Sequence, residues 1–156
     1  MPAFLFDAPA AWDPEIHAAS ERSALSSDQC VIEEEQWFLR GLLTLPVAGS
    51  ETPSEDDLVF GVWLSVSEGT FDRAVELWEE ERRVRDPAYP GWLANDIPGF
   101  PPTVGLLARL KTMRVGKRPV VQLNAEDTHQ LAVEVREGVS PERADELVAA
   151  VRTALS

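Results

Sequence analysis

Apolar and polar residues alternate along two long segments of the chain, residues 37–47 and residues 58–66. In the second segment, one face of the predicted strand carries Phe60, Val62, Leu64 and Val66. Alternation with a period of two is typical of a β-strand that turns one face to the core. The turn residues of segment 49–57 separate the two runs, so we expect a long β-hairpin.

The same alternation predicts three further strands, at residues 29–33, 104–115 and 118–123. The longest of these has two distinct faces. One carries Leu106, Ala108 and Leu110, and the other carries Leu107, Arg109, Lys111 and Met113. Gly116 is expected to form the turn between the last two strands.

A helix is predicted at residues 68–83, with Ser67 or Thr70 as its N-cap. Apolar residues recur there three and four positions apart, as an amphipathic helix requires. These residues are Phe71, Ala74, Val75 and Trp78.

A second helix is predicted at residues 140–155, where Ser140 is a suitable N-cap and Pro141 suits the first helical position. Its apolar stripe comprises Ala144, Leu147, Val148, Val151 and Leu155. The preceding segment, residues 129–137, fits a helix or a strand.

These elements predict an α+β fold with a mostly antiparallel sheet and helices packed mainly on one face. A single domain would span residues 1–156, and residues 1–24 would be a weakly ordered or helical lead-in. Residues 25–123 would form the sheet, interrupted by the first helix and by an irregular loop. That loop, residues 86–102, contains five prolines and two glycines, which disfavour a helix or a central strand.

The charge balance narrows the class of partner. The 156 residues include 27 acids and 14 Lys and Arg, for a formal net charge of -13. Nucleic acids and anionic membranes are poor partners for such a chain, because both are bound through clustered cations. We therefore expect no nucleic acid and no membrane as partner.

The cellular location follows from the N-terminal sequence and the cysteine count. The N-terminus has no basic segment before a long apolar run, so no signal peptide is predicted. Cys30 is the only cysteine, which excludes an intrachain disulfide. We expect a cytoplasmic protein.

Acidic residues are concentrated near the N-terminus. Residues 1–60 hold twelve acids and two bases, whereas residues 103–137 hold six bases and four acids. The basic cluster consists of Arg109, Lys111, Arg114, Lys117 and Arg118. It could bind phosphate, an acidic partner or the acidic half of the same chain, and we favour the last.

Few residues suggest catalysis. Cys30 could be a nucleophile with His129 or His17 as its base, and His129 could act as a general base with a nearby acid. Cys30 more simply packs as a small apolar residue at the start of a strand. Asp28 follows two serines and more simply forms a turn.

Aromatic residues suggest binding. Trp63 stands between Gly61 and Ser65 on its face of a strand, which leaves room for a ligand, a partner side chain or a covering helix. In the irregular loop, the residues expected near any bound molecule are Tyr89, Trp92, Asn95 and Asp96. A structural role for this loop is the competing interpretation.

Several segments together resemble a bacterial family known as domain of unknown function 2199. They are residues 25–32, 60–68, 91–95 and 136–140, in that order and spacing. The resemblance extends from about Ala11 to the C-terminal helix and supports a single domain. It implies no activity, because the family has none assigned.

Many members of that family begin with a Cys- and His-containing segment that looks like a metal-binding knuckle. This chain departs from that pattern and begins after it, so no metal site is carried over. Two histidines and one cysteine form no spaced metal motif either. We expect no metal and no cofactor.

The leading hypothesis is a small non-enzymatic protein-binding module whose acidic surface attracts a basic protein, as an immunity-type protein would. One alternative is an enzyme that uses His129 or Cys30 with an acid. The other is a small-ligand carrier with a cavity lined by Trp63 and Trp92. The sequence indicates no oligomeric state.

Overall fold

The computed structural model describes residues 3–48 and 57–155 of the chain. Its strands are β1 Ala3–Leu5, β2 Ala24–Leu25, β3 Gln29–Ile32, β4 Gln36–Leu45, β5 Leu58–Val66, β6 Tyr89–Leu93, β7 Leu107–Lys111 and β8 Val120–Leu123. Its α-helices are α1 Pro14–His17, α2 Glu68–Glu76, α3 Gln130–Glu137 and α4 Pro141–Leu155. A 3₁₀-helix occupies Glu81–Arg85.

Strands β4 to β8 form a closed five-stranded barrel. Consecutive strands pair antiparallel, and β8 returns to β4 through a parallel contact at Leu42 and Val120. There the backbone N–H of Leu42 donates to the carbonyl of Pro119 at 2.9 Å. The short strand β1 adds to β5 in parallel, while β3 and β2 extend the sheet from β4.

The α+β class is confirmed, but the predicted mostly antiparallel sheet with helices packed mainly on one face is not. The sheet is mixed, because β1 pairs with β5 in parallel and β4 pairs with β8 in parallel. Because the sheet closes into a barrel, one of its faces becomes the interior and the other becomes the outer surface. Closing a sheet removes the exposed edges of its strands. The sequence contains no local signal for that step.

Side chains fill the barrel. Phe60, Val62 and Leu64 are completely buried there, as the alternation of residues 58–66 predicts. Helices α3 and α4 contribute Leu131 and Leu147 to the same apolar cluster. The helices therefore extend the barrel core.

A second, smaller apolar cluster lies on the outside of the barrel. Its buried members are Cys30, Ile32, Phe38, Trp63 and Ala94. Phe6 and Trp12 pack on this cluster from the N-terminal segment. The outer surface of β3, β4 and β5 is thus covered by chain that precedes the barrel.

The expected lead-in, residues 1–24, needs correction within its described part. Ala3–Leu5 is a strand, and the N–H of Phe6 continues its bonding to β5 by donating to the carbonyl of Gly61 at 2.9 Å. Only Pro14–His17 is helical. A three-residue strand is too short for alternation to reveal it.

The predicted helix at residues 68–83 is shorter than expected. It begins after Ser67, whose hydroxyl caps the N–H of Thr70, and α2 ends at Glu76. In the 3₁₀-helix that follows, the buried Arg83 guanidinium donates to the carbonyls of Trp78, Met113, Arg114 and Lys117. These bonds fix Arg83 against the β7–β8 turn, which a continued α2 would not do.

The segment 86–102 is not wholly irregular, because Tyr89–Leu93 forms barrel strand β6. Pro90 is tolerated there because β6 pairs with β5 only through Trp92 and Leu93. The missing N–H of proline therefore interrupts no bond of that ladder.

The predicted C-terminal helix is confirmed, because α4 begins at Pro141. Residues 129–137 fitted a helix or a strand in the sequence, and the structure shows helix α3 after His129. Strands β4 and β5 pair from Leu45–Leu58 onward as the two arms of the expected hairpin. Of its predicted loop, residues 49–56 lie outside the described residues.

Candidate functional site

Trp63 is completely buried and serves the fold. Its indole Nε1–H donates to the carbonyl of Phe6 at 2.8 Å, and its backbone N–H donates to Asn95 Oδ1 at 2.8 Å. Leu5 fills the space beside Gly61, where a Cβ would lie 2.5 Å from Leu5 Cδ2. The predicted room beside Trp63 is therefore occupied on the Gly61 side.

Asn95 is also buried and joins distant segments. Its Oδ1 accepts from Trp63, its Nδ2 donates to the carbonyl of Ala8 at 3.0 Å, and its own carbonyl accepts from the Thr103 hydroxyl. Asp96 is exposed, and its Oδ1 accepts the backbone N–H groups of Thr103 and Val104. Both side chains shape the backbone around the expected binding loop.

Tyr89 is buried, with its hydroxyl donating to the carboxylate of Asp86. Two bonds of 3.0 Å join Asp86 to the guanidinium of Arg73. These bonds, with that of Tyr89, lower the pKa of Asp86 to about 2. Burial, then the bond to Asp86, raises the pKa of Tyr89 to about 12. This triad fastens β6 to α2.

Trp92 alone of the predicted aromatic residues lies open to solvent. It is 52% exposed, and its neighbours Val104 and Leu107 are 50% and 47% exposed. Trp92 and Leu107 stand directly opposite each other on β6 and β7. Such opposed side chains lie about 5 Å apart at Cβ and form a single apolar surface.

This surface extends over the outer side of three strands. Along each of these strands the buried residues point into the barrel, and they are residues 89, 91, 93, 108, 110 and 121. Their neighbours along the strands point outward, because successive side chains of a strand alternate in direction. We call the outward set the Trp92 face. It consists of the strand residues Pro90, Trp92, Leu107, Arg109, Val120 and Gln122, together with Val104, which precedes β7 and lies beside Trp92; all are exposed.

A groove of about 210 Å³ borders Trp92 on the side of β5. Phe38 and Ser65 line it, together with Ala10 and Ala11 of the N-terminal segment and Trp92 and Val104. We call it the Ser65 groove. Ser65, the small residue on the other side of Trp63, does leave a groove here, and Trp92 forms one side of it.

A second groove, of about 360 Å³, lies beyond Leu107 and is lined in part by Arg109, Gln122 and Asn124. We call it the Arg109 groove. Leu107 borders this groove and Trp92 borders the other, so the paired side chains form a ridge between them. The two grooves and the ridge make one continuous candidate surface.

The candidate catalytic residues are not assembled into a site. Cys30 is buried, and burial raises the pKa of its thiol to about 12. The ring of His129 receives the N–H of Leu131 at Nδ1, and its Nε2 lies 3.0 Å from the carbonyl of Pro102. Asp127 accepts the backbone N–H of His129, so it does not orient the imidazole.

Asp28 and His17 also have structural contacts. Asp28 lies 3.6 Å from Arg118 in an ion pair and accepts the hydroxyl of Ser27. Nδ1 of His17 accepts the backbone N–H of Asp13. The bond partners of these rings and carboxylates do not include Cys30.

The basic cluster is only partly paired within the described residues. Arg118 meets the acidic half of the chain at Asp28, whereas the ammonium of Lys111 donates to the carbonyls of Val84 and Asp86. Arg109 is exposed on the Trp92 face. Pairing with the acidic half of the chain thus accounts for the charge of Arg118 but not for that of Arg109.

In the part of the chain that the structure describes, every helix is too short or too polar to span a bilayer. Those same residues include no group of three or more His, Cys, Asp or Glu side chains placed to share a metal ion.

The fold and this surface define a small α+β barrel protein with an exposed aromatic face. The chain belongs to the family described as uncharacterised protein conserved in bacteria, DUF2199, whose model matches residues 1–139. The matched region includes all eight strands and therefore the whole Trp92 face. No curated protein and no solved structure matches the chain.

Proposed function

We propose that this protein is a non-enzymatic binding module that recognises another protein through the Trp92 face. The observation that carries the proposal is the exposure of Trp92, Val104 and Leu107 side by side on the barrel wall. Contiguous exposed apolar groups are unfavourable in water, and they are typical of surfaces that a partner covers.

The composition of the face supports this role. Protein interfaces draw much of their affinity from a few Trp, Tyr and Arg side chains surrounded by less important contacts. Trp92 and Arg109 are diagonal neighbours on this face, since Arg109 pairs with Pro90 two residues from Trp92. Both lie on barrel strands, so little backbone conformational entropy is lost when a partner binds.

The charge of the chain supports a basic partner. A net charge of -13 attracts positively charged proteins over distances comparable to the Debye length and raises their association rate. An immunity-type role, in which an acidic protein blocks a basic one, belongs to this class. We place the encounter in the cytoplasm.

We rank the two alternatives lower. An enzyme using Cys30 would need a thiolate, and this thiol is buried with a pKa of about 12. A carrier would need an enclosed cavity between Trp63 and Trp92, but Trp63 is covered by the N-terminal segment. No observation favours either role over partner binding.

A quantitative pull-down from cells of the bacterial host tests the proposal. The bait proteins are wild type, Trp92→Ser and the matched control Val75→Ser, which removes an apolar side chain that is 43% exposed on α2. Thermal unfolding of each bait shows whether its fold is intact.

We expect at least one basic protein to be captured by wild type and by Val75→Ser, and at least tenfold less by Trp92→Ser, as for an interface hot spot. Equal capture by all three baits would mean that the Trp92 face does not mediate binding.

A further inference from the structure

The chemistry of the two grooves indicates what kind of segment the Trp92 face accepts. Resting on the proposed function, we propose that the bound segment carries a carboxylate that pairs with Arg109. About 12 Å away, the same segment places an apolar side chain in the Ser65 groove. The partner is therefore an extended polypeptide with an acidic and an apolar residue roughly four positions apart.

Among the residues that the structure describes, Arg109 is the one charged side chain that lines either groove. The Ser65 groove is lined by apolar and small residues together with Gln36. A single cation in an otherwise neutral surface favours one anionic group at a defined place in the partner. It disfavours a lysine or arginine at the same place.

Arg109 is available to a partner. Within the described residues it takes part in no ion pair and no side-chain hydrogen bond, whereas Arg73 and Arg143 are held by carboxylates within 3.2 Å. A guanidinium binds a carboxylate through two parallel hydrogen bonds.

Amide groups beside Arg109 complete a carboxylate receptor. Gln122 pairs with Arg109 across β7 and β8, and Asn124 lines the same groove. The Oδ1 of Asn124 already accepts the N–H of Glu126, which leaves its NH₂ group as the free end. Carboxylate oxygens accept hydrogen bonds from such donors.

The register of the strands sets the distance between the two subsites. Ser65 is opposite Trp92, Trp92 is opposite Leu107, and Arg109 lies two residues further along β7. Two strand spacings of about 5 Å and two residues of about 3.3 Å place Arg109 roughly 12 Å from Ser65. Residues i and i+4 of an extended chain span this distance and project to the same side.

The net charge of the chain and the local charge of the face act at different ranges. The excess of acids governs the encounter with a basic protein, while Arg109 governs which side chain of that protein is seated. An acidic residue in the contact segment of a basic partner satisfies both requirements.

A display library of random twelve-residue peptides, panned on the wild-type protein, tests the inference. Selected peptides are synthesised, and their affinities are measured by fluorescence anisotropy. Each peptide is tested on wild type, Trp92→Ser, Arg109→Gln, Arg109→Glu and Arg114→Gln. Arg114 is an exposed base outside the face, so its variant controls for loss of one positive charge.

We expect selected peptides to carry Asp or Glu about four positions from a large apolar residue. Arg109→Gln should weaken them about tenfold, as loss of a charge-assisted hydrogen bond does, and Arg109→Glu should weaken them further. Arg114→Gln should change affinity less than about twofold, as expected of a surface charge outside the interface.

Peptides that lack an acid, and whose affinity depends on Trp92 but not on Arg109, would overturn this inference without contradicting the proposed function. Peptides that bind independently of Trp92 would overturn both. The absence of any selected peptide would overturn this inference alone, because a folded partner can cover the Trp92 face without an extended segment.

Discussion

The three candidate aromatic residues Trp63, Tyr89 and Trp92 differ in what covers them. Trp63 and Trp92 both point away from the barrel interior, yet the N-terminal segment covers Trp63 and leaves Trp92 exposed. The cover depends on bonds such as that between Trp63 and Phe6, which are 57 positions apart in sequence. The local sequence pattern therefore identified both tryptophans as candidates, but it could not predict which of them is buried and which is exposed.

The burial of Cys30 leads to a prediction about its reactivity. Because the folded protein holds the thiol in an apolar cluster with a pKa of about 12, almost no thiolate exists near pH 8. We expect a chromogenic disulfide reagent to label Cys30 only as the protein unfolds, at least 100-fold more slowly than in denaturant. Labelling as fast as in denaturant would restore the cysteine-based enzyme as a hypothesis.

The Asp86–Tyr89–Arg73 triad predicts how stability depends on pH. The folded pKa of Asp86 is depressed from 3.8 to about 2, so its contribution is present above pH 3.8 and is lost as the pH falls towards 2. The folded pKa of Tyr89 is raised from 10.0 to about 12, so its contribution is complete below pH 10 and is lost towards pH 12.

Urea unfolding at a series of pH values measures both effects. We expect Asp86→Asn to lose less stability than wild type between pH 4 and 2, and Tyr89→Phe to lose less between pH 10 and 12. Variant curves that run parallel to wild type in these windows would show that the triad does not titrate with folding.

Strands and helices with a regular period were predictable. Leu58–Val66 and Pro141–Leu155 have the bounds that alternation and capping indicate, within one residue. Strand β6 was missed because Pro90 and Gly91 are poor strand formers, although its five residues still alternate between buried and exposed. The strand propensities of its residues thus give the wrong prediction for β6, the strand that carries Trp92.

The close packing around Gly91 in β6 leads to a prediction about the stability of a Gly91→Ala variant. A Cβ there would lie 2.8 Å from the backbone carbonyl oxygen of Ser65, so β5 and β6 would have to separate. We expect Gly91→Ala to destabilise the fold by about 1–3 kcal/mol in thermal or urea unfolding.

Gly69, in helix α2, provides the matched control because a Cβ there would have no neighbour within 4 Å. Gly69→Ala should stabilise the protein by about 0.5–1 kcal/mol. Equal effects of the two substitutions would contradict the close approach of β5 and β6 at Gly91.

At the scale of the whole molecule, the α+β class was predictable and the closed barrel was not. Closure rests on one parallel residue pair between β4 and β8, Leu42 and Val120, which are far apart in sequence. No periodicity records such a contact, because it depends on the twist and length of the strands between. The candidate surface exists only after closure turns its residues outward.

The acidic excess predicts the kinetics of association with a basic partner captured in the pull-down. Exposed Glu15, Glu21 and Glu35 make no side-chain bond in the described structure, so Gln replacements should leave the fold intact. We expect the triple variant to associate several-fold more slowly at low salt, with little change in dissociation rate. An unchanged association rate in a biosensor measurement would exclude acidic steering.

The most direct test of the central claim is photo-crosslinking in living cells of the host. A benzoylphenylalanine in place of Leu107 reports what covers the Trp92 face, and the same residue in place of Val75 reports an exposed apolar position on α2. The account predicts a discrete covalent adduct with another protein from position 107 and none from position 75. An adduct from position 75 alone, or none from position 107, would contradict it.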